Sequence, residues 1–134
     1  MRFSYAVLYV SDMDRSIAFY RDILGLTVER SYSEEDGKIR KTFMIEEGKE
    51  PMVDWPMIEL VSGMEDKSTV QSGHLLGFEV KSLAKTTQLL EERGYKPDAA
   101  PFSPAPGYNM TEFTGPDGEL IEVMEIDPAL AYKN

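Results

Sequence analysis

A chain of 134 residues with 42% hydrophobic content has room for one domain around a shared core, or for two very small ones. Its 24 acidic residues against 14 basic ones, a net charge of −10, argue against a nucleic-acid partner, because phosphate binding needs a basic face. The absence of cysteine excludes disulfides, thiolate ligands and cysteine catalysis, and the apolar runs are too short to span a membrane. The first residues run directly into a strand pattern without a signal-peptide layout, so a cytoplasmic location is expected.

Residues 4–10 are rich in β-branched and aromatic types and predict a strand. Ser11 or Asp12 can cap a helix over 13–24, whose Ile17, Tyr20, Ile23 and Leu24 share one face and which Gly25 stops. Residues 26–33 and 38–46 predict a hairpin across Glu34-Glu35-Asp36-Gly37, and 57–61 a further strand. A polar linker over 63–72 follows. The pattern then restarts with a strand at 74–80, a helix at 83–93 with Ser82 as cap and Gly94 as stop, and a weak strand at 96–100. Pro101, Pro104 and Pro106 make a stiff loop. Strands at 108–113 and 120–126 flank the turn Gly115-Pro116-Asp117-Gly118, and the tail from Asp127 is loose or a short helix.

The chain thus reads β-α-β-β-β twice, as modules 1–62 and 72–126, neither long enough to bury a good core alone. The expected fold class is α+β: a single domain over 1–134 whose two βαβββ modules curl mixed sheets around a shared cavity, with helices on the outside.

Two strands carry the same motif, Met57-Ile58-Glu59-Leu60 and Leu120-Ile121-Glu122-Val123, each with a carboxylate inside an apolar run. Such a charge must be solvated, paired, metal-bound or catalytic. Strand alternation groups Tyr5, Val7 and Tyr9 on one face, and likewise Met57, Glu59 and Val61; His74, Leu76 and Phe78; and Leu120, Glu122 and Met124. If these faces line the cavity, the inward polar groups are Tyr5, Glu59, His74 and Glu122. Glu59, His74 and Glu122 then form a candidate set for a divalent ion of the Ni, Co, Mn or Zn kind. The plain alternative is a hydrogen-bonding core histidine and two glutamates kept for strand structure. Tyr5, a poor ligand as a neutral phenol, reads as an aromatic cavity wall or a hydrogen-bond donor to substrate. Tyr9, Met57, Phe78 and Met124 point the same way and are candidate substrate contacts.

Phe19-Tyr20-Arg21-Asp22-Ile23-Leu24-Gly25-Leu26 resembles the "FYxxxLG" helix end of the vicinal oxygen chelate (glyoxalase/bleomycin-resistance/dioxygenase) superfamily. Gly115-Pro116-Asp117-Gly118-Glu119-Leu120-Ile121-Glu122-Val123 resembles its "DPDGxxIEL" closing hairpin, and residues 10–16 its first strand-to-helix turn. In length and layout the chain is most similar to short bacterial glyoxalase I (lactoylglutathione lyase). That resemblance implies metal ligands at Glu59, His74 and Glu122, with Tyr5 standing where the family has histidine. It implies Glu122 as the base that moves a proton along a small 2-oxo or 2-hydroxy compound or its thiol adduct, with Glu59 as its counterpart. Tyr9 and Gly63 stand where the family has an arginine and an asparagine that contact glutathione. The resemblance also implies a homodimer with a small-molecule substrate. The other reading within the superfamily is a metal-free binding protein of the bleomycin-resistance type that sequesters a cationic aromatic drug, which the acidic charge, Tyr5 and the aromatic cavity favour. An extradiol dioxygenase is disfavoured, because its iron site wants two histidines and the chain has one.

Overall fold

Hydrophobic alternation in short β-rich runs builds two sheets, and the helices cover one face of each. The structure is a computed structural model and describes residues 4–50, 56–64 and 75–131. The chain divides into two compact units, residues 1–72 and 73–134.

In the first unit, β1 (Tyr5–Tyr9) leads to α1 (Met13–Ala18), capped by Asp12, whose carboxylate accepts the Arg15 amide at 3.0 Å. The helix expected over 13–24 changes character midway: residues Phe19–Ile23 form a π-helical turn, with the Leu24 amide donating to the Phe19 carbonyl at 3.4 Å. The wider turn lets the successive residues Phe19 and Tyr20 both be buried, their rings edge-to-face at 5.0 Å. β2 (Leu26–Glu34) and β3 (Ile39–Glu46) form the expected hairpin. Its turn puts Glu35, Asp36 and Gly37 at positive φ, as a tight primed turn requires. β4 (Met57–Ser62) completes a four-stranded sheet in the order β1-β4-β3-β2, with β1 and β4 parallel and the other pairs antiparallel. Leu8, Met44 and Leu60 are fully buried on one face of this sheet, the face to which the alternation assigns α1.

In the second unit, β5 (Leu75–Glu79) leads to α2 (Leu83–Glu92), then β6 (Tyr108–Thr114), β7 (Leu120–Ile126) and the short α3 (Pro128–Ala131). The sheet order is β5-β7-β6, with β5 parallel to β7. Ser82 caps α2 as expected, accepting the Lys85 amide. Glu125 on β7 accepts the Leu83 amide at 2.9 Å, which ties the helix N-terminus to the sheet. The strand expected over 96–100 reduces to one isolated bridge, Pro97 with Phe113, and one bond from the Asp98 amide to the Glu112 carbonyl. Pro97 has no amide to donate, so the ladder cannot extend through it.

Gly63 ends the first sheet at φ +89°, and a Cβ there would collide with the backbone carbonyl of Lys38. That contact explains why this position holds glycine and leaves no room for the asparagine that the resemblance would put there.

Candidate functional site

Ladder register determines which side chains share a face. In the first sheet Val7, Glu59, Phe43 and Arg30 pair side by side across all four strands. The next row is Tyr9, Val61, Lys41 and Tyr32. Tyr5 pairs with Met57, and Phe43, Ile45 and Met57 form a buried apolar cluster on this face. Tyr5, Tyr9, Met57 and Glu59 therefore lie on one face, as strand alternation predicts.

Glu59 is 7% exposed. Burial raises its pKa above the usual carboxylate value; Lys41 and Arg30 oppose that shift and Glu34 adds to it. Lys41 itself is held in its charged form by a hydrogen bond to Glu34 at 3.2 Å. Among the described residues Glu59 makes no hydrogen bond or ion pair, and Lys41, Glu34 and Arg30 act on it only at longer range.

Arg30 reaches this face through a bulge. Leu26, Thr27 and Val28 pair in step with Glu46, Ile45 and Met44; Glu29 is then skipped and Arg30 pairs with Phe43. Without the extra residue, alternation would put Arg30 opposite Thr42 on the other face. The guanidinium instead lies 4.9 Å from the Phe43 ring centroid and 5.8 Å from that of Tyr32. The Lys41 ammonium lies 5.8 Å from the Tyr32 centroid. Phe43 also meets Tyr5 edge-on at 5.3 Å and stacks against Tyr32 at 6.4 Å. Counting from Leu26 hides Arg30 from a sequence reading, because the bulge changes its parity. Lys41, Tyr32 and Phe43 were also missed, and the signal that could have found them is a cation close to two aromatic residues on one hairpin.

In the second sheet Glu122 pairs with Gly77 on one side and Glu112 on the other. Met124 pairs with Glu79 and Met110 and shares this face. Glu112 and Glu122 are two like charges directly opposite each other, an arrangement that disfavours the pair unless something balances it. Phe78 pairs with Val123 and so lies on the face opposite to Glu122. The expectation that Phe78 shares the face of Glu122 is corrected on this point. Alternation counted from His74 is out of step by one residue, and the apolar Leu76 and Phe78 fall on the same face as buried Ile121 and Val123.

The two units repeat each other's strand register. Tyr5 pairs with Met57 and Val7 with Glu59; Leu75 pairs with Leu120 and Gly77 with Glu122. The helix caps Asp12 and Ser82 keep the same spacing from these strands. Glu59 and Glu122 therefore occupy matching register positions. The match to Tyr5 in the second unit is Leu75. His74 lies outside the described residues.

Among the described residues the four matching register positions, Tyr5, Glu59, Leu75 and Glu122, carry no nitrogen donor. Tyr5 offers a phenol and the matching Leu75 position no donor at all, while two cations share the face of Glu59 and compete with a metal ion for its charge. Among the described residues no group of three or more histidine, aspartate or glutamate side chains is placed to hold an ion. No helix among them is long and apolar enough to cross a membrane.

Residues 2–123 match the sequence model of the Glyoxalase/Bleomycin resistance protein/Dioxygenase superfamily. The chain is 31% identical over 130 residues to a probable chloroplastic lactoylglutathione lyase of Arabidopsis thaliana, a match that takes in 95% of this chain and 36% of the relative. The chain therefore spans about a third of that relative's length. Among solved structures, glyoxalase I of Leishmania major, described as trypanothione-dependent, superposes with a TM-score of 0.75 at 23% identity, covering 93% of this chain and 86% of the other. TnmS3, an antibiotic binding protein from Streptomyces sp. CB03234, superposes with a TM-score of 0.70 at 19% identity, covering 95% and 97%. At these identities the superpositions establish the fold.

Proposed function

The chain belongs to the Glyoxalase/Bleomycin resistance protein/Dioxygenase superfamily, and within it we propose a metal-independent binding protein for a small organic molecule. The observation that carries this reading is the register of β5, which puts apolar Leu75 at the position matching Tyr5. The cations Lys41 and Arg30 on the face of Glu59 support it, because they repel a metal ion that approaches this carboxylate. TnmS3, described as an antibiotic binding protein, is a precedent for such a role on this fold. The candidate binding surface is the sheet face that carries Tyr5, Tyr9, Met57 and Glu59. That the whole chain is a single domain and that two chains pair are parts of the same proposal.

A second reading, a glyoxalase I-like lyase or isomerase, keeps one observation in its favour: Glu59 and Glu122 stand at matching register positions. Similarity to the plant lactoylglutathione lyase points the same way. In that reading Glu122 takes a proton from a small 2-oxo or 2-hydroxy compound and Glu59 is its counterpart. The two separate in an assay with the methylglyoxal–glutathione adduct after incubation with Ni, Co, Mn or Zn ions. The binding reading expects no acceleration over the ion alone. Metal-dependent turnover that Glu122→Gln abolishes would overturn it.

A further inference from the structure

The face around Glu59 has a chemical polarity of its own. At one side stands Arg30, brought there by the bulge at Glu29 and lying over the Phe43 ring. Among the described residues its only carboxylate within 4 Å is Glu29, at 3.7 Å, which is beyond hydrogen-bond reach. Its side chain is 59% exposed, so the planar fork of N–H donors is open to a ligand. Lys41, the second cation, is already committed to Glu34 at 3.2 Å. Two further rings, Tyr5 and Tyr32, are 46% and 39% exposed on either side of buried Phe43.

Resting on the binding reading above, we propose that this face recognises an aromatic carboxylate, with the carboxylate on the Arg30 guanidinium and the ring against Tyr5 and Tyr32. A guanidinium fixed on an aromatic ring is oriented before the ligand arrives, so little of its freedom is lost on binding. The bulge strengthens the assignment. Such irregularities disrupt a ladder and recur where a side chain must be re-aimed, and here, among the described residues, the re-aimed Arg30 has the looser ion pair, 3.7 Å to Glu29 against 3.2 Å from Lys41 to Glu34. With a net charge of −10 the chain as a whole repels anions, so a carboxylate would be selected by this local group and not by the overall field.

The probes are benzoate and its neutral isostere benzamide, titrated into the full chain in a buffer containing EDTA and followed by backbone amide NMR shifts and calorimetry. Benzoate is expected to bind at least about tenfold tighter than benzamide, as a charge-assisted hydrogen bond implies. The shifts are expected on β2, β3 and β4. Arg30→Gln should erase the preference, and Arg30→Lys should keep part of it because charge remains while the fork is lost. Arg30 is an exposed side chain, and an unchanged amide spectrum of the free variants confirms folding. Equal binding of the two probes at these strands, or a preference that survives in Arg30→Gln, overturns the inference and leaves the binding reading intact. Absence of binding by either probe overturns the assigned ligand class. Binding that appears only after a divalent ion is added, and that Glu59→Gln removes, overturns both.

Discussion

Phe43 is the residue on which the aromatic and cationic contacts of the first sheet converge, so its replacement tests the arrangement directly. It is 5% exposed, lies in the cluster with Ile45 and Met57, meets Tyr5 edge-on at 5.3 Å and carries the Arg30 guanidinium at 4.9 Å. Phe43→Ala removes a buried ring and should cost about 3–5 kcal/mol. Phe43→Leu keeps an apolar body but loses the ring-edge contact, about 0.5–1.5 kcal/mol, and the cation contact, about 0.5–1 kcal/mol at an exposed site. Its expected cost is therefore about 1–2.5 kcal/mol. Arg30→Met removes only the cation term. In a double-mutant cycle of Phe43→Leu with Arg30→Met, read by urea denaturation with far-ultraviolet circular dichroism, the coupling should be about 0.5–1 kcal/mol in favour of the wild-type pair. Costs that add within about 0.3 kcal/mol would mean that Arg30 does not rest on Phe43, and the account of the bulge would fail with it.

Glu59→Gln should flatten part of the pH dependence of stability. The folded-state pKa of Glu59 is raised, so the native state binds more protons than the unfolded chain between the ordinary glutamate value and the raised one. The contribution is fully present below the unfolded value and is lost as pH rises through the folded one, so the variant should gain on the wild type across that window in denaturation curves. Gly63→Ala combines a positive φ with a collision against the Lys38 carbonyl, whereas Gly94→Ala meets nothing within 4 Å and suffers only its φ. About 1–2 kcal/mol is expected for Gly94→Ala and clearly more for Gly63→Ala, with thermal melts as the readout. Ser82→Ala removes the cap of α2 and should cost about 1 kcal/mol without changing benzoate affinity, since Ser82 is not on the sheet face of the candidate binding surface.

Much of the fold was legible in the sequence because its elements have local causes. The last strand falls where the Ile-Glu-Val run predicts it, and the Asp36-Gly37 turn and the Ser82 cap carry their own chemistry. What escaped depends on register. In Leu75-Leu76-Gly77-Phe78 an apolar residue stands at both parities, so alternation alone could not choose the inward face, and starting from His74 chose the wrong one for Phe78. The spacing of Val10, Asp12 and Met13 from β1, repeated by Val80, Ser82 and Leu83 after β5, contained the signal that would have corrected it. Arg30 was hidden for the same reason, since one unpaired residue at Glu29 reverses every later side chain of the strand. Glu59 could be placed from sequence, but its two neighbouring cations arrive from other strands and only the ladder brings them beside it.

Metal independence is the central claim, and calorimetric titration of EDTA-treated, desalted protein with Ni, Co, Mn and Zn ions tests it most directly. The account predicts no stoichiometric site tighter than about millimolar, a weak association of about 4 kcal/mol, and no difference between the wild type and Glu59→Gln. One equivalent of any of these ions bound at micromolar affinity or better, and lost in Glu59→Gln, would contradict it.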